Sequence, residues 1–407
     1  MNDTVLISNR EKIKRKILYA EAVYGNAEKQ AVLKSMNNKW LASGPLVKEF
    51  EKKIAVLFGK KYGIAVNSGS SANLLAIQSL RLPKGSEVIT PACTFSTTVS
   101  SIIHNNLIPV FIDSVIGRYT INEDLIEKAV SQKTRLIMVP QLVGGVCNMP
   151  KLRKIANKHK LILIDDSCDT LAPHFNGKPI GVYSDLTTTS FYGSHIITAL
   201  GYGGMVLTDS EEFRDRIFTL RDWGRAGDDK EDFEKRFNFS IDGIPYDAKF
   251  LYVELGYNMK MNEAAAAFGL EQLKRFNSFS EKRKNNFEKL KSYFSKYEKW
   301  FYIPYLLEGI TTNWLAFPLT VKKVAPFTRY ELLKHMESKG IQTRVLFSGN
   351  ITRHPAYKQL TFRVSGTLDN TDQIMASALL LGCHQALTKK DIKYVIKSAE
   401  EFFKKHA

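Results

Sequence analysis

Short apolar runs rich in β-branched residues alternate with amphipathic stretches across the first half of the chain. Seven runs fall between about residues 60 and 210: YGIAV (62–66), EVIT (87–90), IPVFI (108–112), RLIMVP (135–140), LILI (161–164), LTTTSF (186–191) and GMVLT (204–208). Apolar residues at helical spacing lie between several of them, as in SSANLLAIQSL and MPKLRKIANKHK. This alternation is typical of βαβ units, and strands without a polar face are buried on both sides. The pattern predicts an α/β domain with a mostly parallel, seven-stranded sheet.

The pattern changes after residue 210. Residues 263–299 carry apolar positions at helical spacing and predict one long helix or two. From about residue 310, shorter alternating runs such as WLAFPLTV and IQTRVLF are mixed with two more helical stretches. A chain of 407 residues exceeds what one core usually serves. We therefore expect an N-terminal arm and large domain over residues 1–275, and a smaller α/β domain over residues 276–407.

Composition narrows the classes of partner without selecting one. Hydrophobic residues make up 44% of the chain and charged residues 24%, an ordinary globular balance. The formal net charge is +17, but lysines are spread through helical stretches, so a solvated surface is favoured over attraction to an anionic substrate. No nucleic-acid-binding motif is present. No apolar run approaches the roughly 20 residues that span a bilayer, and the N-terminus lacks a signal-peptide core. We expect a cytoplasmic protein with neither a nucleic-acid nor a membrane partner.

Small and aromatic residues follow the first two predicted strands, at the edge where an open α/β sheet binds ligands. The sequence SGSS at residues 68–71 opens an amphipathic helix. Backbone N–H groups at a helix start bind phosphate, although an ordinary N-cap explains the same residues. Phe95 follows the next strand, where its ring would either stack on a planar ligand or belong to the core.

Carboxylates and a histidine follow two later strands. Asp165 and Asp166 come directly after LILI, and a buried carboxylate needs a cation or hydrogen bonds, unless it caps a helix. Ser190 lies near the end of LTTTSF, and His195 follows it by five residues. Each feature alone has an ordinary structural explanation. Together they predict a phosphate cradle, a stacking ring, an acid for a ring nitrogen and a base in one pocket, which describes a pyridoxal-phosphate site.

The motifs that contain these residues resemble the sugar aminotransferase family named DegT/DnrJ/EryC1/StrS. The resemblance covers nearly the whole chain and depends on five segments in order: GPLVKEFEKKIAVLFGKKYGIAVNSGSSAN, PACTFSTT, LILIDDSCDTLA, SFYGSHIITALGYGG and LGYNMKMNEAAAAFGLEQL. It implies the aspartate-aminotransferase type of fold (fold type I), pyridoxal 5′-phosphate (PLP) as cofactor, and a homodimer with shared active sites. It also implies cofactor-binding residues, the last of them reaching the partner's site: Gly69, Ser70, Phe95, Asp166, Ser190 and Asn258.

His195 departs from the pattern of an aminotransferase. In the family, a lysine five residues after the phosphate-binding serine joins the cofactor covalently. Here that position holds His195, and no lysine occurs between Lys178 and Lys230. Imidazole does not replace that amine, but it moves protons near neutral pH. The chain thus resembles the family's nucleotide-sugar 3-dehydratases, which carry histidine at this position.

That resemblance implies a reaction in which pyridoxamine 5′-phosphate (PMP) condenses with the C4 ketone of an NDP-4-keto-6-deoxyhexose. His195 takes a proton from the cofactor, and the C3 hydroxyl leaves. The released enamine hydrolyses to a ketone with loss of ammonia, and a 3-deoxy sugar results. L-Glutamate is the expected amino donor that restores the amine form. The nucleotide, the hexose and the final glycan or metabolite are left open.

Cysteine positions bear on a second version of this subgroup, in which a [2Fe–2S] cluster and a reductase complete the reaction. That version carries three cysteines just after RDWGR, whereas RDWGRAGDDKEDFEKRF has none. RDWGR and RVLFSGNITRHPAY are otherwise closer to the cluster-bearing type. Cys168 matches a fourth ligand position, but one thiolate cannot hold a cluster. We predict the metal-free reaction, with a cluster-dependent dehydrase and a non-catalytic cofactor-binding protein as alternatives.

The resemblance also implies roles for further residues, but their motifs are less specific. Four of them lie where the family's small domain meets substrate, although a solvated loop explains them equally well: Arg344, Asn350, Thr352 and Arg353. Two others depart from the family's pattern. Tyr202 replaces the glutamate of a GEGG motif, and Asp169 stands where glutamine or histidine is usual.

Overall fold

The computed structural model describes residues 16–226 and 232–406, and its helices and strands lie between residues 26 and 403. The α-helices are α1 (Asn26–Asn37), α2 (Pro45–Leu57), α3 (Gly69–Ser79), α4 (Ser96–His104), α5 (Ile126–Ala129), α6 (Met149–His159), α7 (Glu211–Arg221), α8 (Phe233–Phe237), α9 (Glu263–Lys274), α10 (Phe276–Phe294), α11 (Arg329–Ser338), α12 (Pro355–Lys358), α13 (Asp369–Ser377) and α14 (Lys389–Phe403). The strands are β1 (Tyr62–Val66), β2 (Glu87–Pro91), β3 (Ile108–Ile112), β4 (Thr134–Pro140), β5 (Ile162–Ser167), β6 (His174–Phe175), β7 (Lys178–Pro179), β8 (Leu186–Ser190), β9 (Gly204–Thr208), β10 (Ser240–Ile241), β11 (Ile244–Pro245), β12 (Phe301–Tyr302), β13 (Ile310–Thr311), β14 (Phe317–Val321), β15 (Thr343–Val345), β16 (Arg363–Val364) and β17 (Ala378–Leu381). The first 15 residues of the predicted N-terminal arm lie outside the described residues.

The main sheet has the order β1-β9-β8-β5-β4-β2-β3-β16. Strand β9 is antiparallel to both neighbours, and the other neighbouring pairs are parallel. The predicted mostly parallel sheet is therefore confirmed, with the seven predicted strands in it. The eighth strand, β16, was not predicted, because two residues are too short to show a pattern. Its Arg363 pairs with Glu87 of β2 (Nη2 to Oε2, 2.7 Å) and fixes this edge.

Apolar side chains cover both faces of the main sheet, which explains the continuous apolar runs. Strands β2 and β9 are buried along their whole length. On one face, Ile164 and Val206 pack with residues of α3 and α7. On the other, Ile137 and Leu163 pack with residues of α6. The sheet is thus the rigid layer that positions the residues at its strand ends.

The C-terminal part, residues 276–407, contains a second core. Helix α9 ends at Lys274 and α10 begins at Phe276, so the predicted long helical stretch is two helices. Strands β12, β14, β17 and β15 form an antiparallel sheet. Phe287 of α10 stacks on Trp314 with ring centroids 4.2 Å apart. The boundary at residue 275 itself stays a prediction.

The chain segment before α1 runs along the C-terminal part. Ile17 pairs with Ile341, and the backbone N–H of Tyr19 donates to Gln342 Oε1 (2.9 Å). This contact brings Tyr19 to the boundary between the main sheet and the C-terminal part. Of the helices within residues 16–226 and 232–406, none has the length and apolar character needed to cross a bilayer.

Candidate active site

A cavity of about 440 Å³ lies at the carboxyl edge of the main sheet and extends to the C-terminal part. Leu315 and Phe347 form its wall on the C-terminal side, and Tyr19 lies in the same wall. Parallel strands bring their ends to one edge, so residues far apart in sequence meet there. The cavity is lined by the predicted base and by five of the six predicted cofactor-binding residues: Gly69, Ser70, Phe95, Asp166, Ser190 and His195.

The start of α3 forms one end of the cavity. Ser68 caps the helix, because its Oγ accepts from the backbone N–H of Ser71 (3.1 Å). The N–H groups of Gly69 and Ser70 belong to the first turn, where no acceptor exists within the helix. A Cβ on Gly69 would lie 2.7 Å from Cβ of Ser190 and 2.8 Å from Sγ of Cys168. Glycine therefore keeps the helix start close to the Ser190 hydroxyl, an arrangement that suits a phosphate group.

Asp166 lies on the floor of the cavity and is buried. Its Oδ2 accepts from Asn73 Nδ2 and from Thr98 Oγ1, both at 2.8 Å, and its Oδ1 accepts from the backbone N–H of Cys168 (3.2 Å). These donors orient the carboxylate from three elements of the chain. A carboxylate held in this way suits a protonated ring nitrogen, which would supply the missing positive charge.

The other two carboxyl groups of this segment differ from Asp166 in their surroundings. Asp165 points away from the cavity and accepts from Gln141 Nε2 (2.8 Å) and Ser167 Oγ (2.9 Å). Asp169 lines the cavity, and its Oδ2 accepts from the backbone N–H of Val143 (3.0 Å). Burial raises the pKa of each carboxyl to about 7. Asp169 therefore gains and loses a proton in the neutral range inside the cavity.

Phe95 provides a flat surface at the same site. Its side chain is 48% exposed, and its ring meets Phe347 edge to face, with centroids 5.7 Å apart. A ring supported on its edge leaves a face open for stacking. The helix start, Asp166 and Phe95 thus suit the phosphate, the ring nitrogen and the ring face of PLP.

His195 lies on the turn after β8, half-buried in the cavity wall. Its Nδ1 lies 3.3 Å from the carbonyl oxygen of Ser190, a contact that places the ring proton on Nδ1 and leaves Nε2 as an acceptor. Tyr192 packs edge-on against the imidazole, with centroids 5.9 Å apart. Burial, assisted by the charge of Arg283, lowers the pKa of His195 to about 4. The imidazole is neutral at pH 7 and can accept a proton.

Most of the other predicted residues lie away from this cavity. Asn258 is exposed, and its backbone pairs with Asp222. Asn350 Nδ2 donates to Asp372 Oδ1 (2.7 Å), and Arg353 pairs with the same carboxylate. Thr352 Oγ1 donates to Asn350, and the Arg344 guanidinium lies over the Tyr19 ring at 5.6 Å. Tyr202 is the one of these residues that lines the cavity, at its mouth.

Sequence reasoning missed several residues that shape the site. Asn73 was detectable as a polar residue inside the apolar run SANLLAI. Thr98 had no distinguishing signal, since similar residues are common near strand ends. Tyr19 and Arg283 reach the site from segments more than 80 residues away from His195 in sequence. Their roles depend on tertiary contacts alone.

Comparison with known proteins identifies the family. The profile of the DegT/DnrJ/EryC1/StrS aminotransferase family matches residues 23–400. The lipopolysaccharide biosynthesis protein RfbH of Salmonella typhimurium is 40% identical over 395 residues, covering 94% of this chain and 90% of the relative. The GDP-4-keto-6-deoxy-D-mannose 3-dehydratase of Yersinia pseudotuberculosis is 32% identical, covering 92% and 95%. A solved GDP-4-keto-6-deoxymannose-3-dehydratase with a trapped PLP–glutamate geminal diamine has a TM-score of 0.84 at 28% identity, covering 94% and 99%. The chain therefore belongs to the DegT/DnrJ/EryC1/StrS aminotransferase family, as predicted, and is a PLP-dependent enzyme of fold type I.

Proposed function

We propose that this protein is an NDP-4-keto-6-deoxyhexose 3-dehydratase that uses PLP and PMP, with His195 as the proton-transfer base. The reaction is a lyase reaction that yields a 3-deoxy sugar nucleotide. L-Glutamate is the proposed amino donor, and the trapped PLP–glutamate compound in the solved dehydratase supports this choice. The relatives named as 3-dehydratases support the substrate class, whereas the nucleotide stays open.

One observation carries this proposal: an imidazole faces the cavity where the family's aminotransferases place a lysine. No lysine is among the described residues that line the cavity. The cofactor would therefore be held by hydrogen bonds, stacking and charge, and it could leave as well as return in its amine form. A site built for dehydration followed by release needs this freedom, whereas a transamination cycle depends on recapture by lysine.

Each cavity residue has a proposed task in the reaction. The first turn of α3 and the Ser190 hydroxyl bind the phosphate, and Phe95 covers one face of the ring. Asp166 holds the ring nitrogen, and the bound cofactor then supplies an amine and an electron sink. His195 accepts the proton through Nε2, since its Nδ1 side is occupied by the Ser190 carbonyl. The Asp169 carboxyl lies in the same wall as a second group that exchanges protons near neutral pH.

The direct test mixes the protein with PLP, L-glutamate and a panel of NDP-4-keto-6-deoxyhexoses. Glutamate alone is expected to give 2-oxoglutarate and to convert aldehyde-type into amine-type absorbance. A sugar of the right kind is expected to lose its C3 oxygen, which mass spectrometry detects. Formation of an amino sugar instead would identify an aminotransferase, and no half-reaction with glutamate would favour a non-catalytic binder.

The cluster-dependent alternative is weakened by the cysteines. Cys93, Cys147 and Cys383 are buried, and Cys168 is the partly exposed one at the cavity. Among the residues with described positions, no group of three or more His, Cys, Asp and Glu side chains is placed to hold a metal ion. Iron and sulfide analysis of purified protein tests this alternative, since stoichiometric amounts of both would overturn the metal-free reaction.

We also propose that the protein acts as a homodimer with shared active sites. Asn258 is exposed and does not line the cavity of its own chain. A residue of a second copy would supply the same amide to the phosphate end of the neighbouring cavity. The dimer would thus complete a site that one chain leaves open.

A further inference from the structure

Arg283 is a buried cation directly behind the cavity. It lies in α10, and its side chain is fully shielded from solvent. Its guanidinium donates to Gln385 Oε1 (2.6 Å), to the carbonyls of Trp314 and Leu315 (3.0 Å each) and to the carbonyl of His195 (3.3 Å). The first three acceptors belong to the C-terminal part, whereas His195 belongs to the turn after β8. One side chain therefore joins the C-terminal part to the proposed base.

The acceptors of Arg283 carry no formal charge. A buried guanidinium ordinarily pairs with a carboxylate, because desolvation of a lone cation is costly. The titratable neighbours do not supply an anion either. Burial raises the pKa of Cys383 to about 12 and that of Tyr19 well above its ordinary value, and it lowers the pKa of His384 to about 4. The three groups are neutral at pH 7, so none of these described neighbours compensates the charge of Arg283.

The acidic groups of the cavity are engaged elsewhere. Asp166 accepts from Asn73 and Thr98, and Asp169 accepts from the Val143 backbone. The groups that face His195 from its own turn are phenols. Tyr192 packs against the imidazole, and Tyr202 packs against Tyr192 with ring centroids 5.8 Å apart. Arg283 is thus a cation in direct hydrogen-bond contact with His195, through the His195 carbonyl.

We propose that Arg283 is a positioning residue that ties His195 to the C-terminal part and adds to the effect of burial in favouring the neutral, proton-accepting form of its imidazole. A nearby positive charge disfavours protonation of the ring, in the same direction as burial. Arginine suits this task because its planar fork donates in several directions at once, which a lysine ammonium does not reproduce. The inference rests on the proposed function, since it assigns a partner to the base of that reaction.

Histidine-selective NMR on the full-length protein, with and without PLP, tests the proposal. The pKa of His195 is followed after its signal has been assigned with His195→Asn. Arg283→Met removes the charge and keeps much of the volume, and Gln385→Glu places a carboxylate beside the intact arginine. Both are expected to raise the pKa of His195 toward the ordinary value of about 6.5. Arg283→Lys, which retains the charge without the fork, is expected to keep the pKa low while slowing the half-reaction with glutamate.

Arg329 provides a matched control. It is partly buried, and it too donates to backbone carbonyls, those of Met375 (2.7 Å) and Ala378 (3.2 Å). Neither acceptor lines the cavity, so Arg329→Met is expected to leave the pKa of His195 unchanged.

An unchanged pKa of His195 in folded Arg283→Met and Gln385→Glu overturns the proposal. If Arg283→Met does not fold, Gln385→Glu decides, because it retains the arginine. The outcome is separate from the proposed function. If the variants raise the pKa of His195 but the protein makes no 2-oxoglutarate from glutamate, this inference stands and the proposed dehydratase is rejected. If the pKa of His195 is unchanged but 2-oxoglutarate is formed, this inference is rejected and the proposed dehydratase stands.

Discussion

His195 is surrounded by residues that suit a PLP site, yet its side chain is an imidazole at the position where a lysine amine would bind the cofactor covalently. The Ser190 carbonyl orients the ring, and burial keeps it neutral. If this ring moves the proton, His195→Asn should lower the rate of 3-dehydration by about 10²-fold to 10⁴-fold, the usual contribution of a general base. Binding of PLP, followed by absorbance titration, should change little. Dehydration at the wild-type rate would show that another group is the base.

Asp166 is predicted to contribute to cofactor affinity through its charge. Asp166→Asn keeps the shape but loses the anion, so the affinity for PLP should fall by roughly 10-fold to 100-fold, as expected for one charge-assisted hydrogen bond. Asp165→Asn is the matched control on the same strand, because Asp165 points away from the cavity. Equal PLP dissociation constants for wild type and Asp166→Asn would contradict the assigned role.

Asp169 should make stability depend on pH. Its pKa in the folded protein, about 7, is higher than the ordinary value of 3.8. The folded state therefore binds this proton more tightly, and the resulting stabilisation, complete below pH 3.8, is lost as pH rises toward 7. The amide side chain of the Asp169→Asn variant cannot ionise. The free energy of unfolding of this variant minus that of wild type should therefore increase between about pH 4.5 and about pH 7 and stay constant above that range. Denaturant unfolding at several pH values measures this difference, and a constant difference would place the pKa of Asp169 in its ordinary range.

Helix α3 illustrates how an element prepares the site, since its start must approach β8 closely. Gly69→Ala would place a methyl group 2.7 Å from Cβ of Ser190. We expect the helix start to move and the affinity for PLP to fall about 10-fold or more, because each 1.4 kcal/mol of lost binding is tenfold. Gly193→Ala is the control on the neighbouring turn, where the nearest atom would be 3.8 Å away. Equal effects of the two substitutions on PLP binding would contradict the close-approach argument.

Elements were predictable where a local pattern determines them. The seven apolar runs became strands of the main sheet, and the polar residues after them met at one edge, because parallel strands align their ends. Three features could not be predicted in this way: the strand order of the second sheet, the short strand β16 and the contacts of Arg283. Their partners lie far apart in sequence: Arg363 pairs with Glu87, and Arg283 contacts Gln385 and His195. Such pairs carry no local signal in a single sequence.

At the scale of the whole molecule, family membership confirms the predicted fold type I architecture and the predicted class of PLP enzyme. The two parts of the chain both reach the cavity, through Leu315 and Phe347 on one side and the main sheet on the other. The proposed homodimer adds a third contribution, from Asn258 of a second copy.

Mixed dimers test that shared site. Asn258→Ala and His195→Asn should each be impaired as homodimers. A mixed dimer should regain one intact site, which combines His195 of one chain with Asn258 of the other. Statistical mixing should therefore restore about a quarter of the wild-type sites, measured as 3-dehydration after co-expression. No recovery, with dimers present by sedimentation, would place Asn258 outside the partner's site.

The most direct measurement reduces the PLP-loaded protein with borohydride and determines its intact mass and modified peptide. Wild-type protein is expected to carry no covalently fixed cofactor, because an imidazole cannot hold the aldehyde in a reducible link. His195→Lys is expected to gain one cofactor at residue 195. A stoichiometric adduct on any lysine of the wild-type protein would contradict the account.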